Sequence, residues 1–461
     1  MRAAHARRLA IVGFAAFAAC KYPPLDALVG DAGGSGGPGG TGGPCQRSGD
    51  CITAAFPVCD THLSGGTCVV CTTDDTHACG PTTPVCVDDR CTPCTEHSDC
   101  PDSNVCLPDG SCARSSDVAY LDGNGGGTDN ALCTKQMPCI KLPKALAAKS
   151  IIKTSGTILG VAVITDRTAM IFGDDDAQLR PGSGEVGPIL QVRGSSDVAI
   201  YDLLIYIGTG PNLTGVGVTL ADSAKLAMTR VTLSSNNGNG IAVSGGSLIC
   251  TLCSVAANSG HGIEATAGSI TVTRSYISGN FEAGIRVSGN TAFHVLNNFI
   301  GRNGQNGHPN AGGISLEIDT QAVGAPPNEL RFNSISGNLG PDVGKGIHCV
   351  SGTALVASNN IVWSNGATPA SDVQVSGTGC SFTYSDIGPV PETSGTNLSV
   401  DPGFKSVVIT DLHVPATSAV LGKADPAADL TGFAATDLDG DARVKRPGMA
   451  ADIGADQYNP P

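Results

Sequence analysis

From residue 116 onward, apolar and polar residues alternate in short runs. Ser269-Ile270-Thr271-Val272-Thr273 is one such run, with the period of a strand that buries one face. Asn, Gly and Ser punctuate the runs, and aligning them exposes a repeat. TLSSN ends at Asn236, SVAAN at Asn258, SYISGN at Asn280, NFIGRN at Asn303, NSISGN at Asn338 and NIVWSN at Asn365, with spacings of 22, 22, 23, 35 and 27. A Gly-aliphatic pair follows the first five asparagines, at Gly240-Ile241, Gly262-Ile263, Gly284-Ile285, Gly313-Ile314 and Gly346-Ile347. A unit of about 22 residues cannot close its own core, so it must stack on its neighbours. The pattern predicts an all-β solenoid of parallel strands. Asparagine tolerates left-handed backbone, and its amide can bond the same residue one coil away, so these six asparagines are expected to form a ladder. An immunoglobulin-like sandwich would not place one turn residue every 22 positions, and a leucine-rich repeat would need leucines at fixed steps. The predicted exception to strand structure is a short amphipathic helix over 142–150, LPKALAAKS.

That helix follows YLDGNGGGTDNALCTKQMPCIKL (120–142), which resembles the opening of bacterial right-handed parallel β-helix domains of the pectate-lyase-like type. The resemblance implies that the helix caps the first coil. The chain's last part, with Asp401-Pro402-Gly403-Phe404, Asp411-Leu412-His413 and DLDGDARVKRPGMAADIGADQY (437–458), resembles the closing segment of exported bacterial β-helix proteins with a choice-of-anchor domain. Asp439-Gly440, Arg443, Gly448 and Asp452-Ile453-Gly454-Ala455 match its pattern; Gln457 departs from an acidic position. The expected role is structural, an ion pair between Arg443 and Asp452 closing the last coil. Asp437, Asp439 and Asp441 lack the full ligand set of a calcium loop.

The N-terminal part differs in composition. Arg2, Arg7 and Arg8 precede the apolar run LAIVGFAAFAA (9–19), too short for a bilayer and long enough for a signal peptide. Phe17-Ala18-Ala19-Cys20 resembles a bacterial lipobox, which implies cleavage after residue 19 and acylation of Cys20. GDAGGSGGPGGTGGP (30–44) then reads as a flexible tether. The expected organisation is a signal peptide at 1–19, lipidated cysteine and tether at 20–44, a cysteine-rich module at 45–115 and the β-helix at 116–461. Of 19 cysteines, twelve form three four-cysteine units between Cys45 and Cys112. A stretch so poor in apolar residues needs covalent staples. The module resembles small cysteine-rich repeats of bacterial surface lipoproteins. Zinc is the rival reading, because Cys68-x2-Cys71 and Cys91-x2-Cys94 have knuckle spacing with His62, His77 and His97 nearby. Export favours disulfides, whose pairing spacing leaves open. Cys133 with Cys139, Cys250 with Cys253 and Cys349 with Cys380 are further expected pairs.

Candidate chemistry is sparse. Asn258-Ser259-Gly260-His261-Gly262-Ile263 resembles the histidine motif of polygalacturonases. It also aligns with Asn236–Ile241 and Asn280–Ile285, so His261 fills the slot of Asn239 and Ala283, and the preceding coil offers no carboxylate pair. His261 is therefore expected to be structural. Asp174-Asp175-Asp176 could bind calcium and otherwise forms a solvated turn. Lengthened turns at 304–312, 339–345 and 366–372 share one position in the repeat, so His308, Asp342, Lys345 and Asp372 form the expected binding patch. A net charge of −14 argues against nucleic acid. The expectation is an exported, lipid-anchored, monomeric surface protein of the outer membrane or cell surface. It binds a polysaccharide or surface protein without catalysis and without a metal or other cofactor. A polysaccharide lyase or glycoside hydrolase, with calcium as its ion, is the alternative.

Overall fold

In a computed structural model, residues 44–459 are described apart from 52–53, 63–65, 77–78, 207–214, 306–311, 320–326, 341–344, 370, 390–394 and 446–447. Cys20, His77, His308 and Asp342 lie outside the described residues. From Val118 to Gly388 the chain winds as a right-handed parallel β-solenoid, preceded by a small disulfide-rich module.

In that module each unit joins its first cysteine to its third and its second to its fourth. The pairs are Cys45–Cys59 and Cys51–Cys68, Cys71–Cys86 and Cys79–Cys91, then Cys94–Cys106 and Cys100–Cys112. All twelve sulfurs are thereby used, which overturns the zinc alternative. His62 instead contacts Asp60, and the His97 Nδ1 accepts the Cys106 N–H at 3.0 Å. Two hairpins, Val58–Asp60 with Thr67–Val69 and Val85–Val87 with Arg90–Thr92, carry the little regular structure present.

In the solenoid one parallel sheet stacks ten three-residue strands, from Thr157–Leu159 to Asp386–Gly388. The other faces merge into a second sheet, because strands such as Ile241–Thr251 and Ile263–Thr273 run across two faces around a corner. Register is in step from coil to coil: Ile241 pairs with Ile263, which pairs with Ile285, which pairs with Ile314. Alternation decides what goes inside. Ile263, Ala265, Ile270, Val272 and Ile277 are fully buried and stack on their equivalents in one continuous core. Each such side chain contributes roughly 1.5–3 kcal/mol on burial, alanine less. The glycine of the Gly-aliphatic marker is needed for close approach, since a Cβ on Gly262 would stand 2.5 Å from the Gly284 carbonyl oxygen. The helix Leu142–Ala148 begins at a proline-containing first turn and buries Leu142, Ala145 and Leu146 against the first coil.

The asparagine ladder runs from Asn236 through Asn258, Asn280, Asn303 and Asn338 to Asn365. Each Nδ2 donates to the next Oδ1 at 2.8–3.0 Å, and Asn365 hands on to the Gln374 Oε1. The left-handed residue, however, is the one before each asparagine: Ser235, Ala257, Gly279, Arg302, Gly337 and Ser364. The asparagine is selected by its side chain, not by its backbone. Five residues upstream lies a second ladder, Ser275–Asn298–Asn333–Asn360–Ser385, which the repeat alignment did not anticipate. It too follows left-handed residues, Arg274, Asn297, Phe332, Asn359 and Tyr384.

After the last coil the chain turns back along the outside of the solenoid. Asn297 donates to the Phe433 and Thr436 carbonyls, Arg331 to the Asp429 carbonyl, and Ser334 accepts the Ala455 N–H. Leu296, Phe332 and Ile361 pack there with Val414, Val420 and Ile453 in a second apolar cluster. Among the described residues no helix is long and apolar enough to cross a membrane.

Candidate functional site

Outward-pointing positions on parallel strands line up along the solenoid axis, because the register is in step. Two positions past the glycines Gly217, Gly240, Gly262, Gly284, Gly313 and Gly346 the column reads Thr219, Ala242, Glu264, Arg286, Ser315 and His348, and strand pairing extends it to Gln191 at one end and Ser376 at the other. Strand alternation leaves them partly exposed except for the buried Ser315, while Ile263, Ile285 and Ile314 beside them face the core.

At the middle of this column charges interlock. The Arg286 Nη1 donates to the Glu264 Oε1 at 2.8 Å, and its Nη2 donates to Glu317 at 3.2 Å. Burial opposes the guanidinium charge, but the bond to Glu264 and the charge of Glu317 outweigh it and raise its pKa. The Arg286 Nε–H is buried and meets no hydrogen-bond acceptor. The Asn239 Nδ2 holds the other oxygen of Glu264 at 2.7 Å. His261 stands next to this group, 4% exposed. Its Nδ1 accepts the Ala283 N–H at 3.1 Å, which places the proton on Nε2, and Nε2 donates to Glu282 at 2.8 Å, with Glu264 4.0 Å away. Burial lowers the His261 pKa against the pull of Glu282 and Glu264. In turn the Asn239 Oδ1 accepts the His261 N–H at 2.8 Å. The slot shared by Asn239, His261 and Ala283 is thus a bracket between coils, in which a side chain caps the next coil's amide.

The other sequence candidates fall in different places. Lys345 and Asp372 do meet, at 2.9 Å, but as a nearly buried brace: Asp372 also accepts the N–H and the hydroxyl of Thr368. The Asp174–Asp176 run forms the expected solvated turn, with Asp175 and Asp176 exposed, and two of its carboxylates serve as separate fastenings rather than as a convergent calcium set. Asp174 pairs with the buried Lys153 at 2.8 Å and accepts from Asn104 at 3.3 Å. Asp176 accepts from the Gly156 amide and from Asn124, and Asp175 is left exposed. Arg443 corrects the expected ion pair. Its Nη1 reaches the backbone carbonyl of Asp452, its Nη2 reaches Asn297 Oδ1 and the Gly454 carbonyl, and its guanidinium lies 4.3 Å over the Phe332 ring. The Asp452 carboxylate is occupied by the amides of Gly422 and Tyr458. Asp437 turns inward: one oxygen accepts the N–H groups of Asp439, Gly440 and Asp441, the other that of Gln457. The local cysteine pairs are joined as disulfides, Cys133–Cys139, Cys250–Cys253 and Cys349–Cys380.

Sequence reasoning passed over Glu264, Glu282 and Glu317 because it followed the turn residues. The signal was available: stacking the repeats on their Gly-aliphatic markers places Glu264 over Arg286. A cavity of about 110 Å³ lies elsewhere, lined by Asp60, His62, Asp88 and Asp89 of the disulfide-rich module, and it shares no residue with the polar column.

The fold and this column define a class, a disulfide-headed β-helix with a polar outer face. In agreement, residues 214–387 match a family model described as right handed beta helix region. Residues 34–118 match a family of unknown function (DUF8331). Among solved structures, pectate lyase Pel9A is similar, with 13% identity, a TM-score of 0.39, and coverage of 74% of this chain and 96% of that one. No curated protein matches the chain.

Proposed function

We propose that the protein is an exported, lipid-anchored surface protein that binds a polysaccharide along the outer column of its solenoid. The observation that carries the binding reading is the group around Arg286: a partly exposed guanidinium with the carboxylates of Glu264 and Glu317 on either side. A sugar hydroxyl both donates and accepts, so one hydroxyl can accept from the exposed edge of the guanidinium and donate to a neighbouring carboxylate. A row of such groups on a rigid sheet suits an extended chain better than a small molecule. The anchor reading rests on Phe17-Ala18-Ala19-Cys20 after an apolar run and before a glycine-rich tether. The −14 charge supports a soluble surface domain over nucleic-acid binding.

The direct test is affinity electrophoresis of the mature chain on uronate-containing and neutral polysaccharides, followed by Arg286→Ala. The expected result is retardation on at least one polymer, reduced about tenfold by the variant, a loss of roughly 1.4 kcal/mol. Equal mobility on every polymer would defeat the binding reading. For the anchor, Cys20→Ser is expected to move the protein from the membrane fraction to the soluble one.

A second reading has its own observation. Glu264 and Glu282 converge on the imidazole of His261, an arrangement able to move a proton during glycosidic cleavage. New reducing ends from a polysaccharide, lost in Glu282→Gln, would place a hydrolase ahead; ultraviolet-absorbing unsaturated products would indicate a lyase.

A further inference from the structure

The closing segment brings three metal-ligand side chains together from three separate places in the sequence. His413 lies on the stretch after the last coil, Asp439 in the DLDGD turn, and Asp456 just beyond DIGA. One ligand atom from each lies within 4.8 Å of the others. The His413 Nε2 is 2.8 Å from the Asp439 Oδ2. On the opposite side of the ring the Nδ1 contacts the Asp411 carboxylate, which is itself held by the Lys405 ammonium at 3.1 Å. A carboxylate behind a histidine is the arrangement that fixes ring orientation and tautomer in metal sites, leaving Nε2 as the ligand.

Asp456 supplies an independent observation. It is only 8% exposed, yet a single hydrogen bond reaches its carboxylate, from the Val414 N–H to Oδ2 at 2.9 Å. A carboxylate this deep normally has several partners. It faces His413 and Asp439 instead of further amides. Asp437, the neighbour that could compete, is occupied by four backbone amides and takes no part. The side chain of Asp439 is 50% exposed, so an ion and a water ligand have access from solvent.

We propose that His413, Asp439 and Asp456 form a binding site for one divalent ion of the zinc class, with Asp411 as the residue that orients the histidine. One imidazole and two carboxylates leave a fourth tetrahedral position for water, and imidazole favours zinc over calcium or magnesium. Binding at neutral pH releases the His413 Nε2 proton to solvent and neutralises the facing carboxylates. The ion ties the 411–414 stretch, the 437–441 turn and the 455–458 strap together on the outside of the solenoid, where Phe299 packs edge-on against the His413 ring. The competing arrangement is a doubly protonated histidine held between Asp411 and Asp439, with no affinity for metal.

The test is zinc titration of the untagged, disulfide-intact chain after chelator treatment and desalting, with cobalt as a spectroscopic probe. The expected result is one zinc per chain, and a visible cobalt absorption typical of four-coordinate nitrogen and oxygen ligands. Asp439→Asn and His413→Gln should each weaken zinc at least tenfold while Arg286→Ala leaves it unchanged. Circular dichroism checks folding; should His413→Gln unfold, Asp439→Asn decides, because its side chain is half exposed. No zinc uptake by the folded chain, uptake of calcium but not zinc, or uptake undiminished in Asp439→Asn would each overturn the site.

Discussion

Residues 45–112 and the coils from Ile241 onward solve one problem in opposite ways. The first region closes loops of 12–17 residues with six disulfides and has few buried apolar residues, Val58, Val69 and Val105 among them. Each such loop closure contributes about 3 kcal/mol, mainly by limiting the unfolded chain. The solenoid buries a continuous aliphatic core and satisfies its turn amides with side chains from the next coil. Its stability is therefore shared between neighbours, whereas each stapled unit holds itself. The two meet at a seam where His97 and Tyr201 pack on either side of Phe172, and Asp174 ties Asn104 to Lys153. The third unit is thus fastened to the first coils by its own side chains.

Reduction should separate the regions most sharply. Under a strong thiol reductant, residues 45–112 are expected to lose protection from hydrogen exchange and proteolysis entirely, while the coils between Ile241 and Trp363 keep theirs. Parallel loss in both would mean that the stapled module supports the solenoid. Next in size is a break inside a ladder. Asn280→Ala removes the acceptor for the amide and Nδ2 of Asn258 and strands buried donors, at a cost of about 3–5 kcal/mol. Asn236→Ala, at the ladder's end with an Oδ1 that already lacks a partner, should cost about 1–2 kcal/mol by chemical denaturation. Equal costs would show that the ladder does not act as a chain.

Asp386 tests the last coil. It is fully buried, one oxygen has no partner, and burial raises its pKa to about 7. The folded chain holds this proton more tightly than the unfolded chain. Its contribution is therefore complete below pH 4 and disappears as pH rises through about 7. Thermal unfolding should fall between pH 5 and pH 8 by an amount on the order of 2–4 kcal/mol, and Asp386→Asn should flatten that slope. An unchanged slope in the variant would assign the pH dependence to other groups. An effect as small as that of Asn236→Ala is expected at the seam. Asp174→Asn should cost about 1–2 kcal/mol, since it leaves the buried Lys153 with weaker compensation, and it should raise exchange at residues 97–106 before any other segment. Exchange unchanged there would mean that the aromatic contacts alone hold the seam.

Much of the fold was legible because each coil repeats its constraints. The spacing from Asn236 to Asn365 gave the stacking order, and alternation in Ser269–Thr273 gave the inward face. The second ladder was harder to see, since Ser275 and Ser385 share its role with three asparagines and blur the pattern. The candidate site was legible only in part. His261 was placed by alignment, but its bond to Glu282 crosses coils and depends on the length of each turn. For Arg443 a charge partner was expected nearby in sequence. Nearby in sequence its guanidinium meets the Asp452 and Gly454 carbonyls; its side-chain partners are Asn297 and Phe332, more than a hundred residues away, because the closing segment folds back along the flank.

Periodicity, composition and cysteine count are local or repetitive, so the chain itself determined that it forms a parallel β-solenoid behind a disulfide-rich head. Only the tertiary structure decided which of the twelve module cysteines joins which, that Asp174 serves the seam, and that Asp411, His413, Asp439 and Asp456 meet. Those contacts depend on where separate segments arrive in space, and a carboxylate's role is set by the amide, ammonium or imidazole it finally faces.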